Sequence, residues 1–278
     1  MPAATGGSVN NFLRRTIVSL ILIGFVATAV YLFPGWLFCL VIVLFVALGQ
    51  FEFFRLVENR KIFVYKYFGT LVGGLIPVVI FLGNGLPELK NLEPLLIVAA
   101  SLLAFTLQFT RRDNAHDHLI STALTVFSFF YIGWFFSFFV KLRFLENGAN
   151  LVIFLILVTK SADVGAYLLG SRFGRTELIP RISPKKTKEG TLGGILVSLV
   201  IAVLAGRYLT GFSFSHLFVL GIMLATLGQI GDLAESLIKR DCGAKDSGSY
   251  LGGIGGVLDL IDSLLFTVPV FYFYVKTF

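Results

Sequence analysis

The chain has 278 residues, of which 56% are hydrophobic and 14% charged, with a mean hydropathy of +0.87 and a formal net charge of +7. A soluble domain carries about 25% charged residues. This chain therefore has too little polar surface to cover a water-soluble globule, and it is too hydrophobic for disorder. The cation excess fits Lys and Arg held in cytoplasmic loops and gives no reason to invoke nucleic acid.

A helix needs about 20 apolar residues to cross the hydrocarbon core. In chain order, about nine runs qualify: Thr16–Phe33, Trp36–Phe54, Ile62–Leu82, Pro94–Phe109, Leu119–Val140, Asn150–Gly170, Thr191–Leu209, Ser215–Gly231 and Val257–Val275. The fourth is short enough for a re-entrant segment. Arg14 and Arg15 precede the first run as they would in a signal peptide, but no clear cleavage site follows, so it reads as a retained anchor. The expected fold is an all-α, polytopic membrane bundle.

The spans divide the loops into two alternating sets. One set, including the N-terminal tail, holds 17 of the Lys and Arg residues and the other holds 5; Lys160 lies inside a span. This asymmetry predicts a cytoplasmic N-terminus and an external C-terminus. Residues 1–150 form spans with short loops, expected to shape a lipid cavity or a subunit contact. Residues 151–278 carry polar residues inside spans and two long loops, Ser171–Gly190 and Leu233–Gly256, on the cytoplasmic side. A catalytic region is expected there.

An ionisable residue inside a span costs roughly 2.5–3.5 kcal/mol on insertion scales and is a functional candidate by default. Lys160 and Asp163 are three apart and share a helix face, so simple mutual neutralisation would also explain them. The first long loop has six cations among glycines and hydroxyls, from Arg172 to Lys188. It suits a polyphosphate, and equally a layer of anionic headgroups. Gln229, Asp232, Glu235 or Ser236, and Lys239 make one polar stripe leaving the membrane, in which Asp232 suits a hard cation. In the second loop, Lys239-Arg240 and Lys245 bracket a stretch able to wrap around phosphates. A glycine-rich run, Gly252-Gly253-Ile254-Gly255-Gly256, leads into Asp259 and Asp262. Two carboxylates near a helix start, on one face and at membrane depth, repel unless a cation joins them. Mg²⁺ takes one or two carboxylates plus waters and substrate phosphates. His116 and His118 flank Asp117 in a short polar loop, too little for a metal site, and two cysteines make no disulfide framework. Acids for a divalent ion and many cations for phosphates point to phosphoryl or nucleotidyl transfer onto a lipid.

These blocks resemble the phosphatidate cytidylyltransferase (CDP-diacylglycerol synthase) family. The resemblance rests on Ser236-x-x-Lys239-Arg240, Lys245-Asp246-Ser247-Gly248, and Gly255-Gly256-Val257-Leu258-Asp259 with Asp262. Upstream, Asp163-x-x-Ala166-Tyr167, Phe173-Gly174-Arg175, Ser183-Pro184-Lys185-Lys186-Thr187-x-Glu189-Gly190 and Gly231-Asp232 match it too. The match covers Ser161 to Ser263. Three positions depart from the family pattern: Gly252 replaces a Pro, Ile254 a His and Leu260 an Arg.

The resemblance implies that phosphatidic acid attacks CTP at the α-phosphorus, giving CDP-diacylglycerol and pyrophosphate. It implies Mg²⁺ on Asp232 and Asp259, with Asp262 and Asp246 close by, and a second monovalent cation such as K⁺. Lys185, Lys186, Lys239, Arg240 and Lys245 would bind phosphates. Ser183, Thr187 and Ser247 would donate to them, and Asp163 would orient a cation or the nucleotide. The active site would face the cytoplasm in a bacterial inner membrane, the lipid would enter sideways, and a homodimer is compatible. A phosphate monoester is already a dianion near neutral pH, so the missing His does not forbid attack. Three other readings stay open: a CTP-dependent lipid kinase of the polyprenol type, a transporter, and a catalytically inert scaffold homologue.

Overall fold

The computed structural model describes residues 20–111, 117–248 and 255–278. Arg14, Arg15, Arg112, His116, Gly252, Gly253 and Ile254 lie outside the described residues. The described chain is a helical bundle. A short apolar helix α1 (Leu20–Tyr31) is followed by α2 (Gly35–Asn59), α3 (Lys66–Gly85) and α4 (Leu92–Gln108). Next come α5 (His118–Ser128) and α6 (Phe135–Arg143), joined without a break by a π-helical stretch over Phe129–Trp134. Then follow α7 (Gly148–Phe173), α8 (Lys188–Leu209), α9 (Phe214–Asp241) and α10 (Val257–Thr277).

Among the described residues, eight helical segments are long and apolar enough to cross a membrane, and each coincides with one of the expected runs. The remaining run contains α1. The fourth run is continuous helix, entered through a 3₁₀ turn at Pro87–Leu89. The first long loop contains an antiparallel hairpin. It pairs β1 (Glu177–Ile179) with β2 (Ser183–Thr187), Glu177 opposite Thr187 and Ile179 opposite Ser183. Its base is tied to α8: Arg175 N and Thr176 N donate to Glu189 Oε2 at 3.0 and 3.1 Å.

The core is largely aromatic and aliphatic, with Phe53, Phe54, Phe129, Phe138, Phe154 and Phe271 wholly buried. The π-helical stretch frees a carbonyl, which must be satisfied inside an apolar bundle. The buried amide of Gln50 supports the start of this stretch, donating to Ser128 O at 3.0 Å. Charges at the opposite end of the bundle from α10's first turn are likewise paired, Lys141 with Glu93 at 2.6 Å. The last helix packs on α9 and α7 and also on α2 and α6, so both halves of the chain surround its first turns.

Membrane helices gain close packing from small residues rather than from water exclusion. The α7–α8 seam shows this. A Cβ on Gly190 would stand 2.8 Å from Ala166 O, and one on Gly194 would stand 2.7 Å from Ala162 O. Backbone cannot yield there as a side chain would. Gly194→Val is expected to lower stability by about 1–3 kcal/mol, the usual cost of overpacking, read as a reduced thermal midpoint in detergent.

Candidate active site

The C-terminal ends of α7 and α9, the N-terminal ends of α8 and α10 and the hairpin all meet at one end of the bundle. At about 1.5 Å per residue the 28-residue α9 is about 42 Å long. The hydrocarbon core is about 30 Å, so the last turns of α9 reach headgroup depth. Asp232 lies near that boundary, and Asp259 and Asp262 lie in the first turns of α10.

Two polar clusters form there. The first is built around Asp259. Lys239 Nζ pairs with Asp259 Oδ1 at 2.5 Å and also with Glu235, one turn earlier on α9 and wholly buried. Asp259 Oδ2 accepts from Ser247 N at 3.0 Å and from Gly256 N at 2.7 Å. Ser247 Oγ stands 2.8 Å from Asp259 Oδ2 and 3.0 Å from Glu52 Oε2. Glu52, from α2 and 1% exposed, accepts from Val257 N at 2.9 Å and Leu258 N at 2.8 Å. The orphan N–H groups that open α10 are thus met by two carboxylates, which its macrodipole also favours.

The glycines of the motif make room for this. Gly255 has φ +109°, where a side chain would be strained, and a Cβ on Gly256 would fall 2.4 and 2.6 Å from the Glu52 oxygens.

The second cluster joins β2, α7, α9 and α10. Lys186 Nζ pairs with Asp232 Oδ2 at 2.6 Å. Asp262 lies within electrostatic reach of Asp232, Asp163 and Lys160. Lys160 Nζ donates to Ser263 Oγ at 2.8 Å and stands 3.4 Å from Asp163 and 3.9 Å from Asp262. Gly231 brings α9 and α10 together here: a Cβ on it would meet Asp262 O at 2.6 Å.

The other expected residues are distributed around these clusters. Lys185, Lys245 and Asp246 are exposed, and Ser183 is half-buried. Arg240 donates to Ile182 O at 3.3 Å and to Ala244 O at 3.0 Å, tying the hairpin to the second loop. Thr187 caps α8, accepting from Gly190 N at 3.1 Å. Leu260 packs against the apolar core. Sequence reasoning missed Glu52. Its signal was present, a lone carboxylate two residues from Gln50 inside an apolar run.

Among the described residues no three His, Cys, Asp or Glu side chains form a metal cage. Mg²⁺ does not require one, because it binds through one or two carboxylates plus phosphates and water. Asp232 and Asp262, on helices in backbone contact, fit that requirement. Asp259, the other expected ligand, has its oxygens on Lys239, Ser247 and Gly256, and Asp232 has its own on Lys186 and Ser236. The Lys160 ammonium stands among oxygens of Ser263, Asp163 and Asp262.

Carboxylates ringed by lysines and arginines at one mouth of an apolar bundle equip a membrane-embedded transferase acting on phosphates. The chain matches the profile of the Cytidylyltransferase family over residues 13–278 and belongs to that family. It is 33% identical over 276 residues to a phosphatidate cytidylyltransferase of Bacillus subtilis (strain 168), covering 93% of this chain and 97% of that one. It is 36% identical over 204 residues to a phosphatidate cytidylyltransferase of Staphylococcus aureus (strain COL), covering 72% and 77%. It is also 42% identical to the uncharacterized protein YnbB of Escherichia coli (strain K12), over 132 residues that make up 48% of this chain and 44% of that one.

Glu52→Ala would leave the buried N–H groups of Val257 and Leu258 short of an acceptor. A loss of about 3 kcal/mol is expected, with faster hydrogen exchange at Val257 and Leu258. Unchanged exchange there would remove Glu52 from its capping role.

Proposed function

We propose that the chain is a phosphatidate cytidylyltransferase. A phosphate oxygen of phosphatidic acid attacks the α-phosphorus of CTP, the bond to the β-phosphate oxygen breaks, and CDP-diacylglycerol and pyrophosphate leave. The carrying observation is the Asp232–Lys186 ion pair beside Asp262. It sets metal-competent acid and phosphate-competent cation in contact at headgroup depth. The named relatives that align over most of the chain support the reading.

Asp232 and Asp262 would hold Mg²⁺, which supplies charge neutralisation on the phosphates when bound. Lys186, Lys185, Arg240 and Lys245 bind the triphosphate and the lipid phosphate from the hairpin and the second loop. Ser183 and Asp246 stand beside them at the rim. Asp259 holds Lys239 and the Ser247 loop in place, so its part is to keep the basic loop against α10. Thr187 fixes the start of α8 and with it the position of Lys186. No residue need act as base, because the attacking phosphate is already ionised.

An apolar groove of about 330 Å³ is lined by Trp134, Phe138, Leu227, Phe266 and Val270 among others. Leu227 lies five residues before Asp232 and Phe266 four after Asp262, so a lipid phosphate at the acids would lead its acyl chain into the groove. The distribution of cations supports a site on the cytoplasmic side of the membrane.

Purified protein with phosphatidic acid, Mg²⁺ and CTP labelled at the α-phosphorus is expected to give labelled lipid and free pyrophosphate. Label entering the lipid only from the γ-position would make the protein a kinase instead. Asp232→Asn and Asp262→Asn are each expected to cut turnover on the order of 100-fold and to raise the Mg²⁺ needed for half-maximal rate. An unchanged Mg²⁺ dependence in both variants would remove those carboxylates from the metal.

A further inference from the structure

Lys160 is an ammonium set between α7 and α10, its side chain 32% exposed. Ser263 Oγ lies 2.8 Å from its Nζ, Asp163 Oδ2 3.4 Å and Asp262 Oδ1 3.9 Å, and Ser263 Oγ is 3.3 Å from Asp163 Oδ2. The oxygens come from two helices, α7 and α10. Asp262 is largely enclosed, its side chain 10% exposed. Such an arrangement is what a compact monovalent cation asks for, and a lysine ammonium is a compact point charge on a flexible stem.

The charges lead to the same conclusion. Asp163, Asp232 and Asp262 face Lys160 and Lys186, which leaves one negative charge uncompensated. That suits one divalent ion. Without Lys160 the deficit would be two charges at membrane depth, and a free cation would be drawn in to offset it.

We propose that the Lys160 ammonium takes the place of a second, monovalent metal ion, so that this chain works with a divalent ion alone and does not depend on K⁺. Lys160 is then a positioning residue, holding Asp163 and Asp262 by charge without touching the reacting atoms.

Lys160→Met keeps the stem and removes the charge. Equilibrium dialysis of the full-length protein against radioactive Rb⁺, a K⁺ surrogate, is expected to show no saturable site in the wild type and one site in the variant. The thermal midpoint of the variant is expected to rise when K⁺ replaces choline at constant ionic strength, while that of the wild type stays put. Turnover by the variant is expected to fall on the order of tenfold in choline and to recover in K⁺. A lysine acting only in packing would give no Rb⁺ site on removal. Saturable Rb⁺ binding by the wild type, or a variant that binds none, would overturn the proposal. The wild-type measurement stands even if the variant fails to fold. The turnover measurement rests on the cytidylyl-transfer reading, whereas the dialysis and melting do not, so an inactive wild type that binds no Rb⁺ would count against that reading alone.

Discussion

A charge at membrane depth must be paired within the protein, and this constraint organises the whole working end of the bundle. A carboxylate at this depth loses part of its water, and insertion of a lone one into the hydrocarbon costs several kcal/mol. Every acid in the two clusters accordingly meets a cation, a hydroxyl or a backbone N–H. Lys239 serves Glu235 and Asp259, Lys186 serves Asp232, and Lys160 serves Asp163 and Asp262. The cations paired with Asp259, Asp232 and Asp262 come from a different helix or strand. The ion pairs are therefore also what fixes α7, α9, α10 and the hairpin against one another.

Asp259 and Asp262 show how three residues of spacing can separate two tasks. Asp259 occupies the third position of α10, from which a carboxylate reaches back to the N-cap amide. It is drawn to Gly256, Ser247 and Lys239. Asp262 lies a turn deeper, past the cap, and faces α7 and α9 where Gly231 lets the helices touch. The shared face read from spacing was correct as geometry, but the helix terminus captured one of the two acids.

The spans were legible because a hydrocarbon core demands long apolar runs, and that demand is written locally. The Lys160–Asp163 pair was legible for a similar reason, being three apart on one helix. What escaped was long-range or had no local pattern. Glu52 meets its partners 195 to 206 residues further along the chain, and nothing near it announces them. The hairpin escaped because its strands are short, contain Pro184 and two lysines, and owe their register to Glu189 and Thr187 at the start of the next helix. The placement of Asp232 against Lys186 bridges 46 residues, and only the resemblance linked the two blocks.

Under the proposed function, the resting ion pairs decide how the substrates are received. Lys186 and Asp232 are each other's partners before the substrates arrive, so neither is an unpaired charge in the low-dielectric mouth. A nucleotide phosphate would offer Lys186 a second acceptor, and Asp232 would then be free to help hold Mg²⁺, which would neutralise phosphate charge. The exchange replaces one pair by two and leaves no step at which a charge stands alone. Lys239 has no such freedom, clasped between Glu235 and Asp259 beneath the loop. On that reading the hairpin's Lys186 would exchange partners, while Lys239 would keep α10 in place.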